Sequence, residues 1–192
     1  VRALPTYDFE KAQVIVSLAA DFLGDWQGGG FSKGYAKNRV PKNGKMSKHY
    51  QIEANMSLSG ANADVRIPLK PSTQIKALLK IYENISGENT GVTLEDKLES
   101  NLKTISDSLV DAGNSGVFIT GIDDVNAQLI ALKINMLIKS SARKRRKGEA
   151  WSPTTLITGE RAHLALWRLA SPLASPWPRC SKESAGTPVI RA

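Results

Sequence analysis

The stretch VIVSL at residues 14–18 decides the fold. It is short, apolar and rich in β-branched residues, and the polar residues Asp8 and Asp21 lie on either side of it. An apolar run of this length without polar alternation is typical of a strand that is buried on both faces, as in a parallel sheet. The sequence therefore predicts an α/β protein built around this strand.

Three more segments are predicted to join it. Residues 49–53 (HYQIE) and 65–69 (VRIPL) are predicted strands, and Pro68 favours an edge position for the second of them. Residues 116–121 (GVFITG) form another buried strand. The polar stretch from Gly24 to Gly44 is predicted to be a long connecting loop.

Helices are predicted between the last two strands and after them. The first begins at Ser72 or Thr73 and buries Ile75, Leu78, Leu79, Tyr82 and Ile85. A second begins at Thr93 and ends at residues 112–114, and a third runs from Val125 to about Ile138 after a cap at Asp123 or Asp124. Strands and helices in this alternation predict parallel crossovers, so the fold class is a parallel-sheet, Rossmann-like three-layer α/β module.

The positive charge of the chain lies almost entirely in its last quarter. The formal net charge is +8, yet residues 1–138 contain 15 basic and 15 acidic residues, and residues 139–192 contain 11 basic and 3 acidic ones. The module is therefore not a basic surface that follows phosphates, and nucleic acid is not an expected partner. The single cysteine, Cys180, excludes a cysteine-ligated cluster within one chain.

Two strand ends carry candidate binding groups. Gly121 followed by Asp123 at a helix start is the arrangement that points backbone N–H groups at an anionic ligand. No glycine-rich phosphate motif accompanies it, which favours a tight turn at Gly121 with Asp123 as a capping residue. Glu53 closes a strand where nucleotide-binding folds place a ribose-binding acid. Its distance from Gly24 exceeds the usual spacing of about 20 residues, which favours a solvated carboxylate instead. No metal set and no Ser/Cys–His–Asp arrangement can be assembled.

Four phrases resemble one family: VIVSLAADFLGDW at 14–26, MSKH at 46–49, SLSGANAD at 57–64 and PLKPS at 68–72. They are similar to the molybdopterin-oxidoreductase-like, iron–sulfur subunit of alternative complex III, a quinol:electron-acceptor oxidoreductase of bacterial respiratory chains. The resemblance covers residues 5–140 and implies an incomplete molybdopterin oxidoreductase domain, so that the sequence is expected to be a fragment.

The resemblance implies a scaffold on the periplasmic side of the inner membrane, with a multihaem cytochrome c and polysulfide-reductase-like membrane subunits as partners. It implies iron–sulfur clusters in a separate domain, a lost molybdopterin and no cofactor in this chain, which is then not catalytic by itself. No signal peptide or transmembrane segment is recognised in the sequence. The residues that match the superfamily's pocket-lining segments by position are Gly24, Glu53, Gly60, Asp64, Gly121 and Asp123.

The resemblance stops near Ile138, and residues 141–192 form a basic tail of different composition. The tail contains the run RKRRK at 143–147, three of the four tryptophans and five of the nine prolines. We expect it to be disordered or translated in a shifted reading frame; a genuine extension is the alternative. Two other functions stay open, a free-standing Rossmann-type nucleotide-binding protein or oxidoreductase and a nucleic-acid-binding protein that works through this tail.

Overall fold

A four-stranded parallel sheet forms the centre of the protein. The structure, a computed structural model, describes residues 6–41, 44–145 and 157–158. In chain order the strands are β1 (Thr6–Tyr7), β2 (Val14–Leu18), β3 (Lys48–Glu53), β4 (Val65–Pro68), β5 (Gly116–Thr120) and β6 (Ile157–Thr158). The sheet has the order β4-β3-β2-β5, and β1 pairs separately with β6 in antiparallel fashion.

The predicted central strand holds the middle of this sheet. Val16 of β2 pairs with Tyr50 of β3 on one side and with Phe118 of β5 on the other. Because the chain places β3 and β4 on one side of β2 and then crosses back to β5, the strand order reverses between β2 and β5. Open α/β sheets bind ligands outside the carboxyl ends of their strands at such a switch point.

Helices cover both faces of the sheet. In chain order they are α1 (Ser32–Arg39), α2 (Leu58–Ala61), α3 (Pro71–Ser86), α4 (Asp96–Ala112) and α5 (Val125–Arg145). Helices α3, α4 and α5 contribute Leu78, Leu102 and Ile134 to one buried cluster, together with Val16 and Phe118 of the sheet. The predicted Rossmann-like, three-layer α/β fold is therefore confirmed.

An aromatic cluster fills the opposite face, between the sheet and α1. Phe9 and Phe22 stack with their ring centroids 4.6 Å apart, and Tyr35 of α1 meets Phe22 edge to face. Ile15 and Val117 supply the sheet side of this cluster, since they alternate with the residues that face α3–α5.

Several predicted helix boundaries were wrong. Helix α3 begins at Pro71, with Lys70 as its cap, because the fixed φ of proline suits the first helical position. Ile75 was predicted to be buried but is 47% exposed. Leu78 and Tyr82 are buried as predicted, and Gln74, Ala77 and Ile81 complete the buried face.

The polar stretch predicted as a loop contains α1, and α4 begins at Asp96 rather than Thr93. Helix α5 continues to Arg145, past the predicted module boundary at residue 140. Most of the predicted tail, residues 146–156 and 159–192, lies outside the described residues. Disorder and a shifted reading frame therefore stay predictions for this tail. Within the described part of the chain, no helix combines the length and hydropathy needed to cross a bilayer.

The two edges of the sheet differ. Strand β5 is buried along its whole length although it is an edge strand, and Asn135 of α5 lies against its outer side. The Asn135 amide accepts a hydrogen bond from Phe118 N at 2.9 Å and donates one to Phe118 O at 2.7 Å. Strand β4, at the other edge, pairs with β3 alone among the described strands.

Candidate functional site

The carboxyl edge of the sheet brings together most of the residues that the sequence singled out. Gly121 follows β5, and its N–H donates to Leu18 O of β2 at 2.8 Å. A side chain at Gly121 would place its Cβ 2.2 Å from Ala19 O. The turns that follow β2 and β5 therefore pack backbone against backbone at the switch point, and the glycine is required for that close approach.

Glu53, at the end of β3, is buried and fully hydrogen-bonded. Its Oε1 accepts from Arg66 Nε at 2.6 Å and from Ser57 N at 3.2 Å, and its Oε2 accepts from Ser57 Oγ at 2.6 Å and Gln51 Nε2 at 3.1 Å. Burial by itself would raise the pKa of Glu53, but the hydrogen bonds from Arg66 and Ser57 outweigh it and hold the pKa below its ordinary value. The prediction of a solvated carboxylate was wrong.

Gly60 belongs to the same group of contacts. Ser57 caps α2, since its Oγ accepts from Gly60 N at 3.0 Å. A Cβ at Gly60 would lie 1.9 Å from Glu53 Oε1. The space beside this glycine is therefore occupied by the chain's own carboxylate.

Asp21, on the turn after β2, binds the other side of α2. Its Oδ1 accepts from Ser59 N at 2.8 Å and Ser59 Oγ at 2.7 Å, while Ser59 Oγ accepts from Leu23 N. Burial favours a higher pKa for Asp21, but the hydrogen bonds from Ser59 lower it. Gly24 lies beside this carboxylate, and a Cβ there would come within 2.5 Å of Asp21 Oδ2.

Asp64 is separated from these residues. It lies just before β4, at the amino edge of the sheet, and about 13 Å of strand separates that edge from Glu53. Its carboxylate receives both Arg39 Nη atoms at 2.7 and 2.8 Å and the N–H of His49 at 2.7 Å. Desolvation opposes ionisation, yet these donors lower the pKa of Asp64. The structure therefore does not bring Asp64 together with the other predicted residues.

Asp123 lies exposed on the turn after β5, and its neighbour is the capping residue. Asp124 Oδ1 accepts from Ala127 N at 2.9 Å, so the cap of α5 is Asp124. The Gln128 side chain donates to the carbonyl groups of Thr120 and Ile122 at 3.1 and 2.9 Å.

A buried row of polar side chains on β3 was not predicted. His49, Gln51 and Glu53 alternate along the strand and so face the same side of the sheet. His49 Nε2 lies 3.2 Å from Gln51 Oε1, and its Nδ1 lies 3.1 Å from the hydroxyl of Tyr35. Burial lowers the pKa of His49 to about 4. The alternation of H, Q and E in HYQIE was the available signal.

The donors that a phosphate would need at α2 are already taken. Its N-terminal N–H groups bind Glu53, Asp21 and Ser57. The first turn of α1 is different, because no side chain caps it and Gly28, Gly29 and Gly30, all with positive φ, precede it. Within the described ranges no group of three or more His, Cys, Asp or Glu could hold a metal ion.

The comparisons with known proteins add no assignment. No protein-family model matches the chain, and a search of curated proteins finds no match.

Proposed function

We propose that the chain is a scaffold part of the electron-transfer subunit of a bacterial respiratory quinol:electron-acceptor oxidoreductase, alternative complex III. The observation that carries this proposal is the internal closure of the carboxyl edge. Glu53 and Asp21 occupy the donors of α2, and Gly121 packs directly on Ala19. An edge that its own side chains saturate supports a structural role better than ligand binding.

The residues present do not fit a pterin–guanine dinucleotide. Such a group needs free donors and open space, but Glu53 already accepts four hydrogen bonds and the space beside Gly60 contains that carboxylate. Asp64 is paired with Arg39 at the opposite edge. We therefore assign no redox step to this chain, and the proposal leaves iron–sulfur clusters to a separate cysteine-rich domain of the parent subunit.

In this proposal the partners are a multihaem cytochrome c and polysulfide-reductase-like membrane subunits, on the periplasmic side of the inner membrane. The test is affinity purification of the tagged full chain, produced in a bacterium that makes the complex, followed by haem staining of the detergent-solubilised eluate. We expect a multihaem cytochrome in constant ratio to the chain. A Rossmann-type domain of similar size, tagged identically, is the control, and equal haem in both eluates would contradict the proposal.

A free-standing Rossmann-type nucleotide-binding protein or oxidoreductase is the second candidate. The observation that favours it is the run Gly28–Gly30 before the uncapped first turn of α1. Calorimetric titration with NAD and with GDP tests it. Micromolar binding that Gly29→Ala abolishes and Gly34→Ala preserves would favour this candidate over the scaffold, because Gly29 has a φ of +76° and Gly34 does not need a positive φ.

A further inference from the structure

An open cavity of about 900 Å³ lies at the amino edge of the sheet, away from the closed carboxyl edge. The starts of β2 and β3 and the last turn of α4 line it, through Val14, Lys48 and Ala112. Residues 44–47, which lead into β3, also line it. Cavities of this size hold drug-sized molecules, and their walls combine apolar surface with a few polar groups.

Apolar side chains form much of the cavity wall, and two of the large ones are exposed. Val40 is 63% exposed and Met46 is 49% exposed, and both line the cavity. Val14 and Ala112 add apolar surface from β2 and α4. Exposed apolar side chains that meet at one cavity are typical of a surface that binds an apolar group.

The hydroxyl of Ser47 is a buried polar group without a partner. Ser47 lines the cavity and is 4% exposed, and its Oγ forms no hydrogen bond with any described residue. Its backbone is held in place, because Ser47 N donates to Asn38 O at 2.9 Å and Ser47 O accepts from Arg39 Nη1 at 2.6 Å. Buried polar atoms are almost always hydrogen-bonded, so this hydroxyl is a donor available to a bound group.

The charge around the cavity favours an anion. Residues 26–52 contain six lysine and arginine residues and no acidic residue. Lys45 and Lys48 of this stretch line the cavity, are exposed, and form no ion pair with a described residue. Of the two acids that line the cavity, Asp64 is already ion-paired and Asp111 is not free either. The cavity therefore presents two available cations beside the unpartnered hydroxyl.

We propose that this cavity binds a small amphipathic anion, a molecule with one carboxylate, sulfonate or phosphate group on an apolar body. Lys45 and Lys48 attract the anionic group, and the Ser47 hydroxyl donates a hydrogen bond to it. Val40 and Met46 cover the apolar body and remove it from water. The site goes beyond the scaffold role and does not depend on the respiratory assignment, since the closed carboxyl edge takes no part in it.

The test uses the full chain and two fluorescent naphthalenes that differ by one charge. Anilinonaphthalene sulfonate carries the anionic group, and N-phenyl-1-naphthylamine has the same rings without it. We expect the sulfonate to bind with a dissociation constant of roughly 10–100 μM, and the neutral compound to bind about tenfold more weakly. Equal affinities for the two compounds, or no binding of the sulfonate, overturn the proposal.

Two matched pairs of exposed substitutions locate the binding. Met46→Glu removes apolar lining and adds a like charge, so it should weaken sulfonate binding about tenfold. Met56→Glu, equally exposed but outside the cavity, should leave binding unchanged. Lys45→Gln should weaken binding about threefold, most strongly at low salt, whereas Lys97→Gln at the other end of α4 should not change it. Equal affinities within either pair overturn the proposal.

A variant of Ser47 separates binding from folding. Ser47→Ala removes a buried hydroxyl that has no partner among the described residues, so the urea midpoint of the free protein should stay equal or rise. Sulfonate binding should nevertheless weaken about tenfold, because a hydrogen bond to an anion is lost. Unchanged affinity overturns the proposal, and a lower urea midpoint would then show that the hydroxyl supports the fold instead. None of these results depends on recovery of a cytochrome.

Discussion

The carboxylate of Glu53 joins three elements through hydrogen bonds. It receives donors from β3 itself, from the start of α2 and from Arg66 of β4. A buried charge of this kind is tolerated only while its partners stay in place, so loss of one donor costs more than that hydrogen bond alone. The glycine beside it is the most sensitive neighbour.

Gly60→Ala should lower the free energy of unfolding by about 1–3 kcal/mol, the usual cost of overpacking. The added Cβ would lie 1.9 Å from Glu53 Oε1, so either the carboxylate or α2 must move. Urea denaturation followed by circular dichroism measures the change. Gly34→Ala is the control: its Cβ would have no heavy atom nearer than 3.4 Å, and alanine favours a helix, so stability should stay equal or rise by up to about 1 kcal/mol. Equal losses in both variants would contradict this account.

His49 should make stability fall in mild acid. Burial lowers the pKa of the folded-state imidazole to about 4, so between pH 6.5 and 4 the unfolded chain binds a proton that the folded chain does not. Acidification through this range therefore favours unfolding, by about 3 kcal/mol in total. Urea midpoints measured from pH 7 to pH 4.5 should fall progressively.

Loss of the imidazole tests this assignment. His49→Gln should flatten the dependence of stability on pH between pH 6.5 and 4.5. The lowered pKa values of Asp21, Glu53 and Asp64 act at lower pH, because those carboxylates lose their contribution only below their ordinary values near 4. If the urea midpoint of the His49→Gln variant falls with pH as steeply as that of the unchanged protein, another group is responsible for the pH dependence.

At the scale of elements, α5 completes β5 as a neighbouring strand would. Asn135→Asp keeps the shape but replaces the donor to Phe118 O and Ala131 O with a second acceptor. We expect a loss of about 2–4 kcal/mol in the free energy of unfolding at pH 7. The loss should shrink at low pH, since a buried aspartate of raised pKa becomes protonated there.

Thermal denaturation at pH 7 and pH 4.5 measures this. Asn126→Asp, an exposed substitution in the first turn of the same helix, should change stability by less than about 1 kcal/mol, because an acid near a helix N-terminus is mildly favourable. If the Asn135→Asp and Asn126→Asp variants have equal melting temperatures, the stability of the β5 edge does not depend on the Asn135 amide.

The sequence predicted the strands better than the helices, for physical reasons. The runs at 14–18 and 116–121 are mostly apolar and lack polar alternation, which is typical of a strand buried on both faces, and both contribute a strand to the sheet. Helix α1 was missed because it is polar and buries only Tyr35, so it leaves no apolar period to detect. Helix α2 has four residues, too few for any periodicity.

At the scale of the whole molecule, the sequence indicated which chain segments meet but not what fills the space between them. Gly24, Glu53, Gly60 and Gly121 do lie at the carboxyl edge, as parallel strands require. Strand direction alone would also have separated Asp64 from them, because it precedes β4. The saturation of Glu53 depends on Ser57 and Arg66, whose side-chain positions follow from packing and not from spacing.

The last predicted helix is also better covered than its composition suggested. Its stretch at 125–138 is nearly all apolar. Ala127, Ala131, Ile134 and Ile138 of this stretch are buried, and Val125 and Met136 are its exposed large apolar residues among those described.

The unequal edges of the sheet also limit polymerisation. If β4 of one copy could pair with β5 of the next, each addition would leave the same two edges free, and such head-to-tail growth has no end point. Asn135 occupies Phe118 at the β5 edge and blocks this step. One buried amide thus closes the β5 edge to the addition of a further strand at Phe118.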